Sequence, residues 1–320
     1  MILNFFILAF GLALLWVGAE LLIKNSSKFA RSLGVSPVII GLTVVSIGTS
    51  LPEFVVSLMA AIQNTMGISI GNIIGSNIAN IGLILGIGGL LSQLEVKKSW
   101  VKKEVPAMLF FTIVFIIFCR TGYIISRLEG IVLLLFLVTF LGYLSRASLL
   151  QMQDFKELQE MKGETVRHLP ISKKAVLLLL STAGIIILII GSKITVDSGT
   201  QIARTLGVSD TVIGLTLIAV GTSLPELATT IVGVMHKETD IVVGNVVGSN
   251  IFNLLFIGGM VPLIRPIPIE QSLFSIQFPF LLGISVLLWP LMRIRWRIYR
   301  WEGILLLSTY ALFLGLTYSV

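Results

Sequence analysis

Charge and cysteine are both scarce in this chain of 320 residues. Charged residues make up 12% of it and hydrophobic residues 55%, whereas a soluble domain carries about 25% charged residues. Because the apolar runs recur along the whole length, a water-soluble protein, a large disordered region and a soluble domain with one anchor are excluded. Cys119 is the only cysteine, so an intramolecular disulfide and a cysteine metal cluster are excluded. The sequence contains no Walker, Rossmann, Ser/His/Asp or zinc pattern, so we do not expect an enzyme.

Apolar runs long enough for membrane helices divide the chain into ten predicted spans, since a membrane helix needs about 20 apolar residues. The spans cover roughly residues 2–23, 37–60, 68–92, 105–120, 126–145, 175–196, 210–234, 240–263, 273–292 and 301–319. The first run has no basic n-region and no small-residue cleavage site, so we expect a retained helix rather than a signal peptide. The longest gap, residues 146–174, is expected to form a surface helix and linker.

Basic residues are distributed unequally between the two sides that ten spans define. Of the 23 lysines and arginines, 18 fall on the side reached after the first span and 5 on the other. Because cytoplasmic loops are enriched in Lys and Arg, we predict a multi-pass plasma-membrane protein with both termini extracytoplasmic. The net charge of +7 is thus interpreted as a topology signal and not as a nucleic-acid surface. The basic cluster at residues 293–300 fits the same interpretation, with a specific lipid or regulatory site as the alternative.

The second half of the chain repeats the first at a constant offset of 173 residues. Residues 34–53 and 207–226 are identical at 13 of 20 positions without a gap, and residues 71–82 and 244–255 at 7 of 12. The matching positions are mostly Gly, Thr, Ser, Pro, Glu and Asn, so a shared apolar composition does not explain the match. The repeat therefore indicates two copies of one structural unit.

Each copy contains five predicted spans, an odd number, so the second copy enters the membrane from the opposite side. Inverted repeats recur in secondary transporters, which bind ions near the midplane where the repeats meet. The predicted fold is an all-α membrane protein with ten transmembrane helices in two inverted five-helix repeats and broken helices at the ion site. The predicted repeats are residues 1–145 and 175–320, joined by a cytoplasmic linker at 146–174.

A Gly-Thr-Ser-Leu-Pro-Glu motif lies in the middle of one span in each copy, at residues 48–53 and 221–226. Pro52 lacks an N–H and clashes with the carbonyl four residues earlier, and proline is favoured in the first turn of a helix. Each span is therefore expected to break into two half-helices, which frees carbonyls at about Ser46–Thr49. Broken backbone at mid-membrane is tolerated only where it lines a cavity or an ion site.

Each predicted break contains one carboxylate, Glu53 or Glu226. A carboxylate at mid-membrane costs at least a few kcal/mol unless it has a partner, and neither broken span contains a Lys or Arg beside it. With nearby hydroxyls and freed carbonyls, the carboxylates make an all-oxygen shell, which hard cations such as Ca²⁺ and Na⁺ prefer. Two negative charges suit one Ca²⁺ or more than one Na⁺, and this competition is a physical basis for exchange. Protonated structural carboxyls are the alternative.

A Gly-Asn-x-x-Gly-Ser-Asn motif follows in each copy, on the third and eighth spans. Its glycines form small-xxx-small patterns that favour close helix packing; they are Gly71, Gly75, Gly244 and Gly248. Residues four apart share one helix face, so we expect a polar stripe in each copy to face the broken helices. The stripes consist of Asn72, Ser76 and Asn80, and of Asn245, Ser249 and Asn253. Asn77 and Asn250 are expected to hold helix ends or packing.

The duplicated motifs resemble the alpha-repeat signature of the sodium/calcium exchanger branch of the calcium/cation antiporter superfamily. The resemblance, to a compact prokaryotic member, covers essentially the whole chain. It implies ten helices in two inverted halves and outward antiport of Ca²⁺ driven by Na⁺ inward, commonly three Na⁺ per Ca²⁺ and hence electrogenic. It also implies that the first and sixth spans slide as a gating pair during alternating access. No cofactor and no obligate protein partner beyond the transported ions and the lipid bilayer is implied.

Carried over by motif position, the resemblance implies a set of ion ligands with Glu53 and Glu226 as the central carboxylates. Hydroxyl or carbonyl oxygens would come from Thr49, Ser50, Thr222 and Ser223. The third and eighth spans would contribute Ser76, Asn80, Ser249 and Asn253, and the backbone carbonyls of Ser46 and Ala219 would add to the Na⁺ sites. Some members, including potassium-dependent ones, carry Asp where this chain has Asn253, so the asparagine favours potassium-independent exchange.

Two other functions are compatible with the sequence. A Ca²⁺/H⁺ exchanger would use Glu53 and Glu226 as proton carriers, but it would need only titratable groups, whereas the Ser, Thr and Asn shell suits Na⁺. A passive cation channel could be lined by the two broken helices. Inverted repeats around paired carboxylates favour alternating access over such a pore.

Overall fold

The computed structural model describes residues 2–161, 170–207 and 219–318, and nearly all of them are helical. The helices of the first copy are α1 (Ile2–Leu33), α2 (Pro37–Thr49), α3 (Leu51–Ile62), α4 (Met66–Leu91), α5 (Lys98–Arg120) and α6 (Arg127–Met161). Those of the second are α7 (Ile171–Thr205), α8 (Ala219–Gly221), α9 (Leu224–Met235), α10 (Thr239–Ile264), α11 (Gln277–Arg295) and α12 (Arg300–Tyr318). The described part of the chain also contains a 3-10 helix (Gln271–Phe274) and four two-residue strands, β1 (Leu94–Glu95), β2 (Ile124–Ile125), β3 (Ile267–Pro268) and β4 (Arg297–Ile298).

Six of the described helices are long and apolar enough to cross a membrane, and the bent pair α2–α3 makes a seventh span if it is counted as one. The chain is therefore a helical membrane protein. Helices also lie at the other predicted spans, although the span predicted at 210–234 is described only from residue 219 onward. The count of ten spans stays a prediction.

Several helices extend beyond the predicted spans. The first span was predicted to end near residue 23, but α1 continues to Leu33, and α6 and α7 reach into the predicted linker. Hydropathy detects the apolar part of a helix, whereas a helix continues into water where its backbone hydrogen bonds and side-chain contacts support it. At that point of α1, Glu20 is paired with Lys24 and with His236.

The two copies share unusual backbone geometry as well as sequence. Positive φ angles occur at three pairs of residues related by the 173-residue offset: Gly34 and Gly207, Asn64 and Lys237, and Tyr123 and Trp296. The π-helical turns Asn80–Ile84 and Asn253–Ile257 inside α4 and α10 are related in the same way. Such turns are frequent at functional sites, and both begin at a predicted ligand.

Two short antiparallel ladders connect loops of the two copies. In the β1–β4 ladder Leu94 is opposite Ile298, and in the β2–β3 ladder Ile125 is opposite Ile267. Leu94 and Ile267 are related by the repeat offset, and so are Ile125 and Ile298. The two ladders are therefore equivalent and have the same register, so each copy contributes one strand to both of them.

Helices α1 and α7, the first of each copy, pack closely over small residues. A Cβ atom on Gly18 would lie 2.8 Å from the backbone nitrogen of Leu188, and one on Gly184 would lie 2.8 Å from the carbonyl oxygen of Gly18. Towards the start of α1, a Cβ atom on Gly191 would lie 3.0 Å from the carbonyl oxygen of Gly11. Because the contacts advance along α1 while they recede along α7, the two helices are antiparallel.

Helices α10 and α4 form the centre of the molecule. In their most apolar windows, 94% of the residues of α10 and 78% of those of α4 are buried, against 33% for α1 and 28% for α7. The two Gly-Asn-x-x-Gly-Ser-Asn motifs lie on these central helices. Their polar side chains are thus enclosed by protein, while α1 and α7 present apolar side chains outward.

Candidate functional site

The first predicted helix break is confirmed. Helix α2 ends at Thr49, α3 begins at Leu51, and the two are bent by 42°. Pro52 lies in the first turn of α3, and because it has no N–H, the carbonyl of Gly48 loses its usual helical donor. The expectation that the whole stretch from Ser46 is freed was too broad, since the carbonyl of Ser46 accepts the N–H of Ser50 at 3.0 Å. The hydroxyl of Thr49 lies 3.5 Å from the same carbonyl as a second, weak donor.

The second break has the same local geometry. Ser223 has φ −89° and ψ 8°, and Ser50 has φ −85° and ψ 7°. Helix α9 begins directly after Ser223 with Pro225 in its first turn. Ala219, whose carbonyl is a predicted ligand, is the first described residue of α8. The half-helix predicted before it, residues 210–218, lies outside the described residues.

The two breaks are joined by crossed hydrogen bonds between the copies. The hydroxyl of Ser50 donates to Oε1 of Glu226, and the hydroxyl of Ser223 donates to Oε1 of Glu53, each at 3.0 Å. Both glutamates are at most 1% exposed. Each serine thus bonds to the carboxylate of the other break, and the structure brings both carboxylates to one place.

Four buried side-chain oxygens, on the two breaks and on the central helices α4 and α10, have no hydrogen-bond partner among the described residues. They are Oε2 of Glu53, Oε2 of Glu226, Oδ1 of Asn80 and Oδ1 of Asn253. A buried acceptor without a donor costs roughly 1–3 kcal/mol, and a bound cation would satisfy it. Carboxylate, amide and hydroxyl oxygens form the shell that hard cations prefer. The donor set therefore fits Ca²⁺ or Na⁺, and the two carboxylates and the two asparagines are each related by the repeat offset.

The threonines of the breaks contact the asparagine stripes of the opposite copy. Oγ1 of Thr49 donates to Oδ1 of Asn245 at 3.1 Å, and Oγ1 of Thr222 donates to Oδ1 of Asn72 at 3.4 Å. Asn72 also donates to the carbonyl of Glu53 at 2.9 Å. Both asparagines therefore hold the broken segments in position, so the expectation that the stripes face the breaks is confirmed for them.

The serines of the stripes differ in their contacts. Ser249 Oγ lies 3.5 Å from Oε1 of Glu226, as a weak donor to the carboxylate. Ser76, its equivalent, donates to Oδ1 of Asn72 at 3.4 Å. The structure thus brings Ser249 directly to a carboxylate, whereas Ser76 reaches the break through Asn72.

Asn250 contacts a predicted ion ligand, Asn80, and the sequence did not indicate this contact. It was expected to hold a helix end or packing, and it does join α10 to α4, since its Oδ1 accepts a hydrogen bond from Nδ2 of Asn80 at 3.0 Å. Its own Nδ2 donates to the carbonyl of Asn77 at 3.3 Å. This contact turns the amide of Asn80 so that Oδ1 stays without a donor from the described residues. The signal in the sequence was the Ser-Asn pair, which is identical in both copies.

The glycines of the second stripe pack α10 against α2, as predicted. A Cβ atom on Gly248 would lie 2.6 Å from Ser46 Oγ and 2.8 Å from the carbonyl oxygen of Leu42. One on Gly244 would lie 2.6 Å from the carbonyl oxygen of Val38. For Gly71 and Gly75, no described residue comes within 4 Å of such an atom. The segment equivalent to the start of α2 lies outside the described residues, so that half of the prediction stays open.

Comparison with known proteins places this geometry among ion exchangers. The family described as sodium/calcium exchanger protein matches residues 3–146 and 176–319. The sodium/calcium exchanger MaX1 of Methanosarcina acetivorans is 35% identical over 99% of both chains, and the inner membrane protein YrbG of Escherichia coli is 37% identical over 88% of this chain and 86% of the relative. A solved structure of the sodium-calcium exchanger NCX_Mj, soaked with Na⁺ and Sr²⁺, matches with a TM-score of 0.83 and 33% identity over 98% of this chain and 97% of that chain.

Proposed function

Because the chain belongs to the sodium/calcium exchanger protein family, we propose that it is a secondary active antiporter that exchanges Na⁺ for Ca²⁺ across the plasma membrane. The family consists of exchangers and not of enzymes. In our proposal Ca²⁺ moves outward against its gradient, Na⁺ moves inward, and the cycle is electrogenic. The observation that carries the proposal is the pair of buried carboxylates that the crossed hydrogen bonds bring together, each with one oxygen that has no donor among the described residues. Two buried asparagine oxygens on α4 and α10 also have no donor among the described residues.

The proposed ligand set extends outward from Glu53 and Glu226. In each carboxylate, Oε1 is held by a serine of the other break, while Oε2 is left for an ion. The proposed further ligands are Thr49, Ser50, Thr222, Ser223, Ser76, Asn80, Ser249 and Asn253, with the carbonyls of Ser46 and Ala219. A Ca²⁺ ion takes 6–8 oxygens, so it requires both copies at once. Several Na⁺ ions would divide the same oxygens, and their binding therefore excludes Ca²⁺.

The proposed architecture has ten transmembrane helices in two inverted repeats, residues 1–145 and 175–320, with a cytoplasmic linker at 146–174. The antiparallel packing of α1 on α7 and the matched ladders support the inversion. The bias of basic residues supports extracytoplasmic termini. We further propose that α1 and α7 slide over the other helices as the gating pair, because their glycine faces join them into one unit and leave the central helices in place.

Flux measurements with the purified chain in liposomes test this function. We expect an imposed Na⁺ gradient to drive uptake of radiolabelled Ca²⁺ against its own gradient, with K⁺ and pH varied separately. Uptake driven by a pH gradient while Na⁺ is inert would indicate a Ca²⁺/H⁺ exchanger instead. Movement of Ca²⁺ only down its gradient would indicate a channel.

Glutamine variants test the assigned carboxylates. Glu53→Gln and Glu226→Gln keep the shape of the side chain, but each removes one negative charge from the proposed ligands of the ion. Removing one partner from a buried charge pair costs about 3–5 kcal/mol, so we expect Ca²⁺ uptake to fall by a factor of several hundred or more. The matched control is Glu104→Gln, because Glu104 is also a buried glutamate whose Oε2 has no donor among the described residues, but its Oε1 bonds to Tyr143 outside the site. Wild-type uptake in either site variant would remove that carboxylate from the proposal.

A further inference from the structure

A charged cavity of about 530 Å³ lies away from the ion site, between the end of α1, the turn from α9 to α10 and the turn from α11 to β4. Five basic and three acidic side chains line it. All three acids are already paired with bases of the lining: Glu238 with Arg31 at 2.6 Å, Asp240 with Lys97 at 2.6 Å, and Glu95 with Arg297 at 2.9 Å. Two basic residues of the lining, Lys237 and Arg295, therefore have no acidic partner among the described residues.

These two cations are held by separate elements. Lys237 is the second residue after the end of α9 and has the left-handed conformation, with φ 59°. Arg295 is the last residue of α11, and its guanidinium lies 5.3 Å from the centre of the Tyr299 ring. Their equivalents in the other copy are Asn64 and Gly122, which carry no charge. The pair of cations is thus an addition to one copy and not a requirement of the repeated fold.

A topology signal alone does not account for this arrangement. The positive-inside rule needs basic residues near the ends of spans, but it does not need them to line one cavity in which every acid is already neutralised. The excess of two positive charges favours an anion, and arginine and lysine together are common phosphate ligands. Lys237 and Arg295 therefore point to a phosphate group as the ligand of this cavity.

The surroundings of the cavity favour a lipid as the source of that phosphate. Trp296 lines the cavity, and Ile294 and Trp301, which lie two residues before and five residues after it in the chain, are 70% and 56% exposed. Exposed tryptophan at the ends of membrane helices marks the headgroup level. We propose that this cavity binds the phosphate of an anionic phospholipid through Lys237 and Arg295, with the acyl chains along the apolar surface at Ile294 and Trp301. The proposal is independent of which cations the protein exchanges.

A bound headgroup would connect α9 with α11. Helix α9 carries Glu226 in its first turn, and Lys237 is the second residue after its end. A phosphate held between Lys237 and Arg295 therefore restrains the far end of the helix that presents a proposed ion ligand. Anionic lipid is expected to change the rate of exchange as well as to bind.

Native mass spectrometry of the full chain with added phosphatidylglycerol tests the site. The variant is Lys237→Asn with Arg295→Gln, because asparagine is the residue at the equivalent left-handed position of the other copy. Each basic residue near an anionic headgroup contributes about 1 kcal/mol, so we expect lipid retention to weaken roughly 30-fold. The control Lys173→Gln with Lys174→Gln removes the same charge elsewhere. The charge-preserving pair Lys237→Arg with Arg295→Lys is expected to retain the lipid.

Four results would overturn the proposal. An equal loss in the control at residues 173 and 174 would mean that only overall charge attracts the lipid. A loss in the charge-preserving pair would mean that the substitutions act through the fold. Equal retention of phosphatidylcholine would remove the anionic selectivity. Displacement of the lipid by inorganic phosphate at the same concentration would assign the cavity to a soluble anion.

Discussion

Replacing Gly248 with alanine tests whether the position of α2 sets the geometry of the ion site. The new Cβ atom would lie 2.8 Å from the carbonyl oxygen of Leu42 and 2.6 Å from Ser46 Oγ, whereas ordinary contact begins at 3.4 Å. The Leu42 contact is with backbone, so α2 must move away from α10 by about 0.6 Å. Ligand distances in ion sites hold to about 0.2 Å. The displacement is therefore large enough to move the ligands on α2 out of binding distance from the ion.

The expected result is a weaker site in a folded protein. Overpacking costs about 1–3 kcal/mol, and replacing a mid-helix glycine by alanine returns roughly 0.5–1 kcal/mol, so the fold survives. We expect the Ca²⁺ concentration for half-maximal Na⁺-driven uptake to rise about tenfold or more, because each 1.4 kcal/mol of lost ion binding is a factor of ten. Thermal unfolding should show a modest decrease in Tm.

Gly142→Ala is the matched control, since no described residue comes within 4 Å of a Cβ atom there. It also lies inside a helix, so it gains the same helix propensity without a clash. We expect its Ca²⁺ dependence to equal that of the wild type. If Gly248→Ala also left this dependence unchanged, the reasoning from the α2–α10 contact would be refuted.

Two further substitutions test other parts of the proposed mechanism. Gly18→Ala places a Cβ atom 2.8 Å from the backbone of Leu188, so it separates α1 from α7; we expect slower turnover with an unchanged Ca²⁺ half-saturation, and an unchanged rate would contradict the gating pair. Pro52→Ala restores an N–H to the carbonyl of Gly48, so we expect the 42° bend to relax and Ca²⁺ uptake to be lost. Retained uptake in a correctly folded Pro52→Ala protein would show that the break does not depend on proline.

The helix breaks and the carboxylates could be predicted from the sequence because their causes are local. A proline removes its own hydrogen bond wherever it stands, and a glutamate in an apolar span needs a partner in any arrangement. The repeat added the expectation that both breaks meet. For Glu53 and Glu226 the structure agrees with that expectation, since the serine of each break bonds to the other carboxylate.

The remaining features depend on contacts that no local pattern encodes. Strands of two residues are too short to show alternation, so the β1–β4 and β2–β3 ladders could not be predicted. Asn250 shares its motif with Ser249, yet its role follows from the side chain of Asn80 on a different helix. The part of α1 beyond residue 23 contacts a residue more than 200 positions away, since Ser27 donates to Glu238 at 2.6 Å.

The two ladders have a mechanical consequence. Each ties a loop of one copy to a loop of the other, and neither contains a residue of α1 or α7. In the proposed cycle, the helices flanking the ladders would therefore stay fixed to one another, while α1 and α7, which neither ladder includes, would be free to move relative to them. A half-chain expressed alone would have one strand of each ladder and neither partner strand, so the helices flanking the ladders can be held together only when both copies are present.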